Sequence, residues 1–287
     1  MPPSFSEAQY WDKRFTENTN AFDWLLPEQC FDEEIADFLK AQGSEHGFQI
    51  LHIGSGTSML SFHLAGTVPK GSLVHNVDFS KEAVEWGRLK EHELAKASNN
   101  DGGHATTAQM SWNQVALLSL PSLLKSTGPQ TMDLIIDKST SDAIACGADV
   151  LVDLSEGAMN LESNTSRLAM KVHPLHILAL NLAVTAKPGA RWLCLSYSKE
   201  RLPWVPTLFA PHHDPLPEGM PNPAKYWSLV RKKEIQTEEE VQDKYKKIVG
   251  DVVHRMATSH YLYVLERTER KLDVDHVLAL KANQDGR

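Results

Sequence analysis

The stretch Gln49-Ile50-Leu51-His52-Ile53-Gly54-Ser55-Gly56-Thr57-Ser58, followed one helix length later by Leu73-Val74-His75-Asn76-Val77-Asp78, decides the fold of this chain. An apolar run, a glycine turn, a helical interval and a second apolar run closed by a carboxylate form a strand, turn, helix and strand. Such a unit builds an open α/β sheet whose ligand site lies at the carboxyl ends of its strands. Gly54 and Gly56 stand where the backbone must turn sharply and let a ligand come closer than a Cβ permits. The turn reads G-S-G-T-S and lacks the third glycine that packs a dinucleotide helix against its strand. The reading therefore moves from a dinucleotide to a mononucleoside cofactor such as S-adenosylmethionine, with Asp78 accepting hydrogen bonds from both ribose hydroxyls.

The 287 residues suffice for one large core, and no linker demands a division into two. A net charge of −8 and a pI near 5.9 argue against broad binding of nucleic acid, which needs a basic face. Cys30, Cys146 and Cys194 are far apart and odd in number, so they read as thiols of a reducing compartment and not as a disulfide or zinc framework. The first residues, Met1-Pro2-Pro3-Ser4, have no secretory pattern, and no apolar run approaches the ~20 residues of a membrane span. A soluble cytoplasmic or nuclear protein with no membrane partner is expected.

Ser6 and Gln9 have the spacing of a capping box, predicting a helix to about Glu17, and a second helix is predicted from Pro27 to about Ala41. After Asp78, Ser80 caps a helix through about Ala97, and Ser98-Asn99-Asn100-Asp101-Gly102-Gly103 reads as a loop. Thr106 to Trp112 is a weaker third strand, and Met132-Asp133-Leu134-Ile135-Ile136-Asp137 is a strong fourth one, apolar enough to be covered on both faces. A long helix is predicted over Thr165 to Ala186, bent or restarted at Pro174, and a strand over Arg191 to Tyr197. Residues 202–223 are proline-rich and read as a loop at the sheet's carboxyl edge. Two alternating strands, Lys225 to Arg231 and His260 to Arg267, flank a polar helix from about Thr237 to Val249, and the charged tail 269–287 holds a loosely docked helix.

Three local patterns resemble the class I, seven-β-strand S-adenosylmethionine-dependent methyltransferases, and within them the branch of the elongation factor 1A lysine methyltransferases. They are Tyr10-Trp11-Asp12-Lys13-Arg14-Phe15 with Phe22-Asp23-Trp24, the glycine turn above, and Met132 to Ile144, which contains Asp137-Lys138-Ser139-Thr140-Ser141-Asp142. The chain departs from the branch at Ser55, usually cysteine, and at Ser139 and Ser141 in a D-K-G-T-L-D-A pattern. The resemblance implies a Rossmann-like, doubly wound, mostly parallel seven-stranded sheet with an antiparallel last strand and helices on both faces. It implies one domain over residues 1–268, including an N-terminal segment, 1–42, that covers the cofactor.

It also implies roles. Tyr10, Trp11 and Arg14 would lie over the amino-acid end of the cofactor, with Gly54, Ser55, Gly56 and Ser58 beneath its methionine part. Asp78 would hold the ribose and Phe79 would pack on adenine, with Ser111 and Trp112 as further adenine contacts. Asp137 and Lys138 would end the fourth strand beside the methyl group, Asp137 as the catalytic residue that orients the acceptor or draws its proton away. Phe22 and Trp24 would border the acceptor channel. Lys138 and Asp142 are expected to pair locally. His173, His176 and the His212-His213 pair lack ligand partners at a recognisable spacing, so no metal is expected.

The expected activity is methylation of a protein lysine. A small-molecule N-, O- or S-methyltransferase is the alternative, distinguished by an apolar acceptor pocket in place of an open acidic groove. A scaffold that keeps the fold without transfer is a third reading.

Overall fold

A computed structural model describes residues 4–43, 46–101, 108–153, 169–206, 216–237 and 258–283. Its centre is a seven-stranded sheet. In chain order the elements are α1 (Ala8–Glu17), α2 (Asp32–Gln42), β1 (Gln49–Ile53), α3 (Leu60–Thr67), β2 (Leu73–Asp78), α4 (Lys81–Asp101) and β3 (Gln109–Gln114). There follow α5 (Leu120–Thr127), β4 (Met132–Lys138), α6 (Thr140–Ala145), β5 (Val150–Asp153), β6 (Ala169–Val172), α7 (Pro174–Thr185) and β7 (Ala186–Ser196). The chain continues with β8 (Trp227–Thr237), β9 (Thr258–Arg267), a helix at Val274–Ala279 and β10 (Lys281–Asn283).

The sheet order is β3-β2-β1-β4-β7-β9-β8. Strands β1, β2, β3, β4 and β7 pair in parallel, whereas β9 runs antiparallel to both β7 and β8. The expected Rossmann-like, mostly parallel arrangement is therefore present. Its order reverses beside β1, between β2 and β4, which is where such sheets open a crevice at the strand ends.

Side-chain alternation along each strand feeds two layers. Leu51, Ile53, Ile135, Trp192, Cys194 and Tyr263 join the core under α5 and α7, while Ile50, Leu134, Ile136, Leu193, Leu195 and Val264 join the one under α2 and α3. Helix α7 is buried along its whole length, as expected of a helix apolar on all sides.

Several elements differ from the sequence expectation. Helix α1 begins at Ala8 with Glu7 at its cap and no side-chain cap bond, so the Ser6–Gln9 capping box does not form. Helix α4 runs on through Asp101, taking up the first four residues of the expected loop, whereas Gly102 and Gly103 lie outside the described residues. Ser80 does cap it, its Oγ accepting from Ala83 N at 3.4 Å.

The helix expected over Thr165 to Ala186 starts at Pro174. Residues 169–172 form β6 and 165–168 lie outside the described residues. The cause is local: the residue before a proline favours extended backbone, which His173 adopts at ψ 131, and proline is suited to the first helical position. The polar helix expected to Val249 lies, from residue 238 on, outside the described residues. The tail contributes to a small antiparallel sheet, β10-β5-β6, with Lys281 opposite Asp153.

Candidate active site

At the carboxyl ends of β1, β2 and β4 the sheet opens into a cavity of about 750 Å³. One side is the glycine turn. Gly54 and Gly56 have φ of +58 and +52, a region costly for a residue with a side chain. Ser55 N donates to Val77 O at 3.2 Å, tying the turn to β2, while the buried Ser55 Oγ has no hydrogen-bond partner among the described residues.

Asp78 ends β2 beside this turn. Its Oδ2 accepts from Gly56 N at 2.9 Å and its Oδ1 from Ser80 N at 2.8 Å. Burial pushes the carboxyl up to about 6 against the opposing pull of these two backbone donors. Each oxygen retains a lone pair for a ligand. Phe79 and the loop 115–118, from Val115 to Leu118, complete this half of the cavity.

The N-terminal segment forms a roof of aromatic rings. Phe5, Trp11, Phe15, Phe22 and Trp24 all line the cavity, and Trp11 stacks on Phe15 with ring centres 5.6 Å apart. Polar bonds fasten the roof to the sheet. Lys138 Nζ lies 2.7 Å from Asp23 Oδ1, Ser58 Oγ donates to that same oxygen, and Phe22 N donates to Thr57 O at 3.1 Å. Ser80 Oγ donates to Asp12 Oδ1 at 2.5 Å.

The remaining wall comes from α6 and the chain beyond it. Ser139, at φ +66 in the left-handed region, carries a buried Oγ with no partner among the described residues. Asp142 is 5% exposed, lines the cavity, and sits 2.7 Å from Arg201 Nε with Ser196 Oγ donating to it at 2.5 Å. Ile144, Val150, Leu151, Pro174 and the half-exposed Tyr197 also line the cavity.

Gly54, Ser55, Gly56, Ser58, Asp78, Phe79, Lys138, Trp11, Phe22 and Trp24 are thus brought together around one space. Others are not. Tyr10 packs edge-on to Phe5 and Trp11 outside the lining, and the Arg14 guanidinium lies 4.4 Å over the Phe22 ring. Ser111 and Trp112 stand before the end of a strand that continues to Gln114, so residues from Val115 onward emerge at the cavity instead. Trp112 is buried against Phe62, and its Nε1 donates to Glu91 at 2.7 Å.

Asp137 requires the largest correction. Strand alternation puts it on the same face as Ile135, paired with Cys194 and outside the cavity lining. It is fully buried, with Thr140 N, Ser141 N and Ser141 Oγ donating to its carboxylate. Burial pushes it up to about 6, opposed by the Ser141 hydrogen bonds. Its place is that of a cap for the turn into α6. Asp137→Ala should therefore lower unfolding stability by about 2 kcal/mol, through three orphaned donors, while leaving ligand affinity of the folded protein nearly unchanged. Denaturant unfolding alongside calorimetric binding checks both halves of that expectation.

The expected Lys138–Asp142 pair is also replaced, each taking another partner: Asp23 for Lys138 and Arg201 for Asp142. The sequence reading missed Asp23 and Asp142 as polar groups of the site; Asp23 sits inside a quoted pattern, between Phe22 and Trp24, whereas Arg201 lies too far along the chain for spacing to reveal it. Among the described residues no group of three His, Cys, Asp or Glu is placed to hold a metal, and His212-His213 lies outside them.

No protein-family model matches the chain. It is 34% identical over 158 residues to "Methyltransferase srdJ" of Neurospora crassa, a match covering 54% of this chain and 60% of that protein. The matched part is thus less than two thirds of the relative's length. A structure from work on the conversion of a disulfide bond into a thioacetal group during echinomycin biosynthesis superposes with a TM-score of 0.49 at 17% identity, covering 95% of this chain and 98% of that one. Magnesium protoporphyrin IX methyltransferase from Synechocystis superposes with a TM-score of 0.41 at 16% identity, covering 83% and 79%.

Proposed function

We propose that this chain binds S-adenosylmethionine and transfers its methyl group to a small, largely apolar acceptor. The similarity to a methyltransferase and the strand order support the reaction class. The observation that carries the acceptor is the wall formed by Phe5, Ile144, Val150, Leu151, Pro174 and Tyr197, which is apolar and roofed by aromatic rings. A pocket with apolar walls and few polar groups suits a compact ligand.

The residues present fit the cofactor. Gly54 and Gly56 leave bare backbone beside the cavity, the buried Ser55 Oγ and Ser139 Oγ await partners, and Asp78 offers two lone pairs to a ribose. S-adenosylmethionine brings its own leaving group in its sulfonium, so the protein needs to orient, hold and dehydrate. Phe79 and Val115 to Leu118 would enclose the adenine, and the aromatic roof would exclude water. Lysine methylation, the reading attached to the resemblance, rests on the motifs around Trp11 and Asp137, and Asp137, its candidate for orienting the acceptor, is fully buried and outside the cavity lining.

Calorimetric titration with S-adenosylmethionine, then incubation of the protein with methyl-labelled donor and a fractionated cell extract, tests both parts. Binding with label in the small-molecule fraction is expected. Label confined to a protein band would restore the lysine reading, and absence of binding would remove the cofactor.

A further inference from the structure

We propose that Asp142 is the carboxylate that meets the acceptor, and that the group it meets is a hydroxyl of a small, largely apolar molecule. This inference rests on the methyltransferase reading above.

The two oxygens of Asp142 are unequal. Oδ1 takes Ser196 Oγ at 2.5 Å and Arg201 Nε at 2.7 Å, whereas Oδ2 takes the Tyr197 backbone N–H at 3.2 Å. Oδ1 is thereby fixed by two donors, whereas Oδ2, with one, keeps a lone pair, and Asp142 is among the residues that line the cavity. The chain holds this carboxylate from three directions, which supplies the orientation a hydrogen-bond acceptor for a substrate needs.

Charge decides between hydroxyl and amine. Arg201 compensates Asp142, and Lys138 compensates Asp23, so both ion pairs at the cavity are neutral as units. Among the described residues, a lysine ammonium brought to that wall would meet no buried carboxylate without a cation, since Asp78 lies at the glycine turn and Asp149, which also lines the cavity, is exposed and its charge screened. A hydroxyl requires a lone pair and no countercharge. Ile144, Leu151, Pro174 and the Tyr197 ring supply the apolar surface for the remainder of such a molecule.

In the transfer, a lone pair of the acceptor oxygen forms the new O–CH₃ bond as the methyl carbon's bond to sulfur breaks, the electron pair of that bond leaving on sulfur as a thioether. The hydroxyl proton passes to Asp142 Oδ2 and then to solvent. Burial holds the Asp142 carboxyl above the usual carboxylate range, opposed by Ser196, Arg201 and Tyr197, which brings it towards the pH at which a proton acceptor works best. The other titratable groups facing it are Asp137 from β4, Cys194 from β7, and His260 and Tyr263 from β9; Arg201 is the charged partner that favours its ionised form.

The test uses the full chain, methyl-labelled S-adenosylmethionine and the small-molecule fraction of a cell extract. Products are treated with mild alkali to remove esters, then with hot hydriodic acid, which releases an ether methyl as volatile methyl iodide and leaves methyl on nitrogen. Wild-type label should be volatile. Asp142→Asn should slow labelling by about 10²-fold or more with cofactor affinity within about twofold of wild type.

Arg201→Gln should keep activity at high pH but move the acidic limb of the pH–rate profile upward, because the carboxylate loses its cation; a merely structural pair would not move that limb. This second variant decides the matter if Asp142→Asn does not fold. Non-volatile label, an unslowed Asp142→Asn, or an unmoved limb in Arg201→Gln would overturn the inference. A protein that neither binds the donor nor labels any fraction would instead overturn the reading on which it rests.

Discussion

Asp78→Ala is expected to weaken S-adenosylmethionine binding by about 100-fold. Each ribose hydroxyl that donates to an ionised carboxylate contributes about 1.5–3 kcal/mol, and 1.4 kcal/mol is a factor of ten. Loss of both bonds, with partial replacement by water, gives about 3 kcal/mol. The same carboxylate accepts from Gly56 N and Ser80 N, so the substitution also removes one of the bonds that hold the glycine turn to β2, leaving Ser55 N to Val77 O. Asp78→Asn retains one carbonyl oxygen and should cost about tenfold.

A pH titration separates this assignment from a structural one. Burial places the Asp78 carboxyl at about 6. The ionised form is the stronger acceptor, so affinity should be constant well above that value and fall below it, by no more than about tenfold per pH unit. Asp78→Asn, having no such proton to bind, should lose that limb. If wild type and Asp78→Asn show the same pH dependence of calorimetric affinity, Asp78 does not hold the ribose.

The placement of Asp78 was legible because the features that set it are local. Two apolar runs, a turn that glycine alone enters cheaply, and a carboxylate at the end of the second run leave little freedom for where that carboxylate lies. The direction of Asp137 was legible in principle as well. Ile135 and Asp137 differ by two residues in a strand and must share a face, and Ile135 belongs to the core under α7. What spacing could not supply was the turn at Ser139 and the arrival of Arg201 from a distant loop to pair with Asp142, one of the carboxylates that line the cavity. The small sheet of β5, β6 and β10 escaped for a related reason: strands of three or four residues carry too few alternations to register as a pattern. The helix beginning at Pro174 is a matter of weighting, since the proline that marks its start reads equally as a bend within a longer helix.

Gly54→Ala should destabilise the protein by about 3–4 kcal/mol and remove most cofactor binding. A Cβ at Gly54 would stand 2.1 Å from Thr140 Oγ1 and 2.8 Å from Thr140 Cγ2. Thr140 cannot simply swing aside, because its Oγ1 donates to Ile53 O at 2.9 Å and so ties the start of α6 to the end of β1. The left-handed φ of +58 costs an alanine about 1–2 kcal/mol, the overlap about 1–3, and the lost hydrogen bond about 1. The overlap and the bond are alternatives, since relieving the one breaks the other, which keeps the total below their sum. A double-mutant cycle with Thr140→Ala distinguishes contact from conformation. In the Thr140→Ala background, the added cost of Gly54→Ala should fall by about 1–2 kcal/mol, leaving the backbone contribution and the closer approach to the remaining Cβ. Equal costs in the two backgrounds would mean that the close passage of β1 against α6 is not what requires glycine. The required residue would then be set by φ alone, and a left-handed-tolerant Asn at position 54 should restore both stability and binding.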